Sequence, residues 1–151
     1  MTDWHPPIAD GLSGDRYVET AVEELIAESD TLEEMSDTHA PAVYALRLSV
    51  PSDRTTVETR WESAYDADAP EWLWVAHESE RVVYVGAAKS LFARLHQHAE
   101  GTRTASVCLI YPPHSIERVW WYDTAEEAFD HERRRADELA QEHPTWYVHQ
   151  R

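Results

Sequence analysis

Residues 83–98, VYVGAAKSLFARLHQH, change their periodicity at a single glycine, and that change decides the fold. Before Gly86, residues 81–85 are rich in β-branched side chains and read as a strand. After it, residues 90–99 read as a helix, closed by Gly101 in the position of a C-terminal cap. Glycine at the junction allows a tight strand exit and the close approach of another backbone. The helix sets Ser90, Arg94 and His98 in one row at i, i+4 and i+8, so that Arg94 offers a planar fork to a phosphate with His98 one turn further along. Taken singly, each residue has a plainer explanation: Arg94 as a solvated charge, His98 as a helix-end cation, Tyr84 as half-buried strand filler.

Outward from this stretch, the pattern predicts an α+β domain. Residues 42–50, AVYALRLSV, alternate as a strand with Tyr44, Leu46, Leu48 and Val50 on one face. The polar residues 51–70 read as an acidic insertion. Residues 72–76 and 81–85, flanking His77-Glu-Ser-Glu80, read as a hairpin, residues 104–111 are ambiguous between helix and strand, and 116–122 read as a strand. A long helix runs from Thr124 to about Glu142, ended by Pro144. These elements compose a small central, mostly antiparallel sheet of three to four strands flanked by helices over residues 42–151. Residues 1–41 form an N-terminal arm in which Val18, Val22, Leu25 and Ser29 follow helical spacing, with Ala21 and Ile26 beside them. That amphipathic helix suits docking to a protein partner or packing on its own domain.

The last helix holds a carboxylate where an apolar residue is expected. Thr124 and Glu127 have capping-box spacing, which fixes the helix phase. Ala125, Ala128, Phe129, Ala136 and Leu139 then form one stripe with Glu132 at its centre. An unpaired ionised carboxylate there is costly, so an arginine or a metal ion is the expected partner.

Tyr84-Val85-Gly86, an arginine eight residues after the glycine, a histidine twelve after it and a later helical Glu132 together resemble the GIY-YIG nuclease superfamily, particularly its homing-endonuclease branch. The wider chain is similar to small haloarchaeal and haloviral members. The resemblance covers about half the chain. For the tyrosine of the family's first motif, hairpin spacing lands on Trp74, whereas Ala42-Val43-Tyr44 keeps the tyrosine at the cost of a long insertion. The resemblance implies a metal-dependent DNA endonuclease. Glu132 would bind one Mg²⁺ or Mn²⁺ that stabilises the leaving oxygen, and Arg94 would stabilise charge on the scissile phosphate. Tyr84, with Tyr44 or His98, would orient or deprotonate water, while Lys89, Arg103 and Gly86 would contact DNA. The alternative it leaves open is a catalytically silent adaptor of the same fold in a large assembly such as a haloarchaeal virus particle.

Charge bears on both readings. The 151 residues carry 29 acids against 13 basic residues, a net charge of −16, and Lys89 is the single lysine. Self-repulsion of that size is relieved where salt near 1 M shortens the screening length to about 3 Å. Acid excess with arginine in place of lysine is similar to haloarchaeal proteins, so the expected setting is the cytoplasm of a halophilic archaeon or a virion made there. Residues 81–116 alone are net positive, at +3, so a polyanion would approach there. Cys108, the single cysteine, excludes an internal disulfide and a cysteine-based metal site. No stretch approaches ~18 consecutive apolar residues, so no membrane span is expected.

Overall fold

The computed structural model describes residues 40–100 and 106–150. Residues 1–39 of the N-terminal arm, Gly101 and Arg103 lie outside the described residues. The order is β1 (Ala42–Leu48), α1 (Arg54–Tyr65), α2 (Glu71–Glu78), β2 (Arg81–Ala88), α3 (Leu91–Glu100), α4 (Ser106–Ile110), β3 (Pro113–Trp121), α5 (Ala125–Glu142) and β4 (Trp146–Gln150). The strands form one mixed sheet in the order β3-β1-β2-β4, antiparallel except for the β2–β4 pair. The chain is therefore an α+β protein with a central, mostly antiparallel sheet. No described helix is long and apolar enough to cross a membrane.

Side chains alternate across a strand, so the sheet sorts its residues into two cores. On one face Tyr44, Leu46 and Tyr84 pack with Leu91 and Leu95 of α3, Val57 of α1 and Leu73 of α2. On the other, Val43, Ala45, Val83 and Val85 pack with Ala128, Ala136 and Leu139 of α5. β1 is thus buried on both faces except at Arg47, whereas alternation alone predicts one buried face. Val50 lies beyond the strand and is exposed.

Two expectations are corrected. Residues 72–76 are not a hairpin strand. They belong to α2, which starts after Pro70 and buries Leu73 and Ala76, three apart as helix geometry requires. A short apolar run cannot be told from a strand by pattern alone, and here the helical period wins. The polar insertion also holds a full helix: Asp53 caps α1 by accepting the Thr56 N–H at 3.1 Å, and Asp66 ends it in the left-handed region at φ 49°. Within α1 only Val57 is buried, which is why periodicity did not reveal the helix.

α5 begins as its cap predicts, the Glu127 N–H donating to the Thr124 hydroxyl at 3.2 Å. Phe129 departs from the stripe: it is exposed, while Ala128, Glu132, Ala136 and Leu139 face inward. β4 was not read from the sequence. Its five residues lie along the outer edge of β2, from Arg81 opposite Trp146 to Val85 opposite Gln150, and leave Gly86–Ala88 beyond its end.

Candidate active site

The β1–β2 register resolves which aromatic stands opposite the strand exit. Tyr44 pairs with Gly86, and Trp74 lies on a helix outside the sheet. The Tyr44 ring needs the room that glycine leaves. A Cβ built on Gly86 would stand 2.6 Å from Tyr44 Oη, 2.8 Å from its Cζ and 3.0 Å from Tyr84 Cε2. Gly86 accordingly seats an aromatic ring instead of admitting another backbone, and it is itself buried. Gly86→Ala should push the ring aside and cost about 1–3 kcal/mol by overpacking. Denaturant unfolding checks this, and an unchanged midpoint would mean that the ring yields freely.

α3 brings its row onto this hydroxyl. Ser90 Oγ accepts the Ala93 N–H at 3.3 Å, which makes Ser90 a cap at the helix start. Four residues on, Arg94 Nε donates to Tyr44 Oη at 3.2 Å, and its Nη1 donates to Gln97 Oε1 at 2.6 Å. Another turn on, His98 Nε2 lies 2.8 Å from Tyr44 Oη. The hydroxyl, with one proton and two lone pairs, can meet both neighbours at once, accepting from Arg94 and sharing a hydrogen bond with His98 whose direction follows the imidazole tautomer. Tyr84 completes the cluster, its ring 6.3 Å from Tyr44 and 5.6 Å from His98.

Burial sets the protonation states. It pushes the Tyr44 phenol well above its usual range, with Tyr84 adding to the shift and Arg94 opposing it. Burial, followed by the Arg94 charge, lowers His98 to about 3, so the ring is neutral at ordinary pH. For Arg94 burial works against the charge, but Tyr44 and Tyr84 outweigh it and the guanidinium lies above the usual arginine value. The result is a fixed cation donating into a neutral tyrosine–histidine pair.

Glu132 is not brought into contact with this cluster. It lies between Ala128 and Ala136 on the α5 face of the sheet, 9% exposed. Its Oε2 accepts from Gln150 Nε2 at 3.3 Å, and its Oε1 is buried with no hydrogen-bond partner. Among the described residues no basic group lies within ion-pair distance of it. The two groups share a level along β2: Gln150 stands opposite Val85, and Tyr44 stands opposite Gly86. They occupy opposite faces near the part of β2 that β4 leaves uncovered.

Lys89 is exposed in the link from β2 to α3. Sequence reasoning missed the contribution of β4. His149 faces Tyr84, with ring centroids 6.4 Å apart, and also lies 4.9 Å from Trp72 of α2, while Gln150 reaches Glu132 on the other face. The run of β-favouring residues Trp146, Tyr147 and Val148 was the available signal, but five residues are short for a pattern.

An orphaned, buried carboxylate oxygen suits a hard cation. The one hydrogen-bonding neighbour of Glu132 among the described residues is the Gln150 amide nitrogen, its helix neighbours Ala128 and Ala136 are apolar, and no group of three or more His, Cys, Asp or Glu converges. As they stand, these residues offer a metal ion one buried carboxylate and no second oxygen ligand, which does not fit a hydrated Mg²⁺ or Mn²⁺. The chain matches no protein-family model, no curated protein and no solved structure.

Proposed function

We propose that this chain is a metal-dependent DNA endonuclease of the GIY-YIG type, hydrolysing phosphodiester bonds. The observation that supports it is the meeting of Tyr44 with Tyr84, Arg94 and His98, from two separated stretches and three elements, around one hydroxyl and one half-buried cation. The scissile phosphate would lie beside half-buried Arg94 and exposed Lys89, the accessible cations next to the cluster. Arg94 would take the charge that develops on it. The Tyr44 phenol is held protonated by burial, so its part is to orient water or phosphate through its hydroxyl, which Arg94 and His98 hold in place. Lys89 would hold the neighbouring backbone phosphate by charge. The divalent cation that the resemblance assigns to Glu132 would supply Lewis-acid chemistry, and bringing it to the phosphate beside Arg94 would require Glu132 to be uncovered, since the two lie on opposite faces of the sheet. The acidic, lysine-poor composition extends the reading to a protein working in molar salt, in a haloarchaeal cell or its virus.

A second reading, the catalytically silent adaptor, is favoured by closure of the cluster. Tyr44 is 0%, Tyr84 1% and His98 1% exposed, and Gln150 occupies one Glu132 oxygen. DNA affinity also declines steeply with salt, which weighs on a protein of −16 charge. The decisive measurement is plasmid nicking by purified protein with MnCl2 or MgCl2 in molar KCl. Nicking that EDTA stops is expected. A folded protein that forms a fixed multimer or a stable protein complex and never nicks would replace the nuclease with the adaptor.

A further inference from the structure

Arg94 is held at more than one atom. Its Nε donates to Tyr44 Oη at 3.2 Å, its Nη1 donates to Gln97 Oε1 at 2.6 Å, and hydrogen bonding to Tyr84 further favours its charge. The two tyrosines stand on β1 and β2, fixed by strand register, and belong to the buried core. Gln97 differs from them. It is half-buried on α3 itself, three residues beyond Arg94, where side chains on one helix face meet. An arginine side chain offers only donors, so the glutamine must present its carbonyl oxygen, and the charge on the donor makes this bond stronger than a neutral one.

A guanidinium is planar, and what it offers a phosphate depends on where that plane faces. One anchor at Nε leaves the group able to swing about that bond. A second anchor at Nη1, at another corner of the fork, removes the swing. We propose that Gln97 is the positioning residue for Arg94, holding the guanidinium plane in the direction from which a phosphate is met. Gln97 touches neither the phosphate nor the attacking water and acts through Arg94 alone. This rests on the reading of Arg94 as the group that takes charge from the scissile phosphate. An amide suits the task, because it supplies an acceptor oxygen without a negative charge that would offset the cation. A plain helix-face pair would instead contribute a little stability and leave the rate alone.

The test follows Arg94 itself as well as cleavage. In the full chain in molar KCl, isotope-edited NMR of the arginine side chains reads how fast the Arg94 guanidinium turns about its Nε–Cζ bond, its signals being assigned as those lost in Arg94→Lys. Gln97→Leu, which removes the acceptor, should quicken that turning by about tenfold, as expected for losing one hydrogen bond to a charged group. With plasmid and MnCl2, the same variant should lower kcat by about tenfold through misplacement of the charge-binding group, with KM nearly unchanged and a melting temperature close to wild type. Gln97→Glu, which keeps the acceptor oxygen, should restore the slow turning and recover part of kcat, with a higher KM because its charge opposes a polyanion. Wild-type turning in a folded Gln97→Leu protein overturns the proposal, as does an unchanged kcat where wild type cleaves. Turning in Gln97→Glu as fast as in Gln97→Leu overturns it too. Because the NMR measurement needs no catalysis, the two ideas separate. Slow turning that Gln97→Leu abolishes, with no cleavage by any of these proteins, sinks the nuclease and supports Gln97 as the anchor of Arg94, whereas cleavage with turning indifferent to Gln97 does the reverse.

Discussion

Replacing Arg94 with alanine is expected to lower DNA cleavage by about two to three orders of magnitude, the usual consequence of removing a preorganised donor from developing charge. The fold should survive the change. Arg94 is half-buried on α3 and donates to Tyr44 Oη. Losing that bond leaves the hydroxyl its contact with His98, a net loss of about 1 kcal/mol. Cleavage and stability should thus separate, the rate collapsing while the melting temperature moves little. Arg94→Lys restores the charge without the planar fork and should recover only part of the rate. Nicking rates and melting curves on the same preparations check this, and wild-type cleavage by Arg94→Ala would remove the proposed role.

The second large effect concerns acid stability. His98 is depressed to about 3 by burial first and by the Arg94 charge second, whereas in the unfolded chain it titrates near the ordinary histidine value of 6.5. At neutral pH the ring is uncharged in both states and contributes no pH dependence. As pH falls below the unfolded value, the unfolded chain takes up a proton that the folded protein refuses, so stability is lost down to the folded value. The slope approaches about 1.4 kcal/mol per pH unit across that window. His149, also lowered by burial, adds to the loss in the same direction. Comparing wild type with His98→Gln isolates the His98 part, because glutamine can hydrogen-bond the Tyr44 hydroxyl in either direction but does not titrate. The variant's stability should fall less steeply between pH 6.5 and 3. Parallel curves would show that His98 is not held neutral as described.

How much of this was legible depended on whether a residue's signal was local. Residues 83–98 announced both strand and helix because the period changes at Gly86, and Thr124 fixed the phase of α5 well enough to place Glu132 on its inward side. Tyr44 and Trp74 could not be separated by spacing, since the choice rests on strand register, which is a tertiary fact. α2 was misread because a run of five apolar residues fits either period. α1 was hidden for a different reason. Its inward side is held by Val57 and by Arg60 donating to the Ile110 carbonyl at 2.8 Å, so polar contacts stand where a stripe would be sought. The relation of Glu132 to the tyrosine cluster was also beyond sequence. Helix phase tells which side of α5 points inward, but not which face of the sheet that side meets.

The middle strand β1 finds both of its neighbours far along the chain, in residues 83–88 and 113–121. No hairpin can therefore nucleate this sheet, and assembly waits on distant encounters, which makes for slow folding. The same separation gives the chain latitude. Each doubling of the segment between β1 and β2 adds only about 0.6 kcal/mol of closure entropy. The pair of helices there can therefore lengthen at little cost in closure while Tyr44, Gly86 and Arg94 still meet, so long as Val57, Leu73 and Ala76 keep their places in the core.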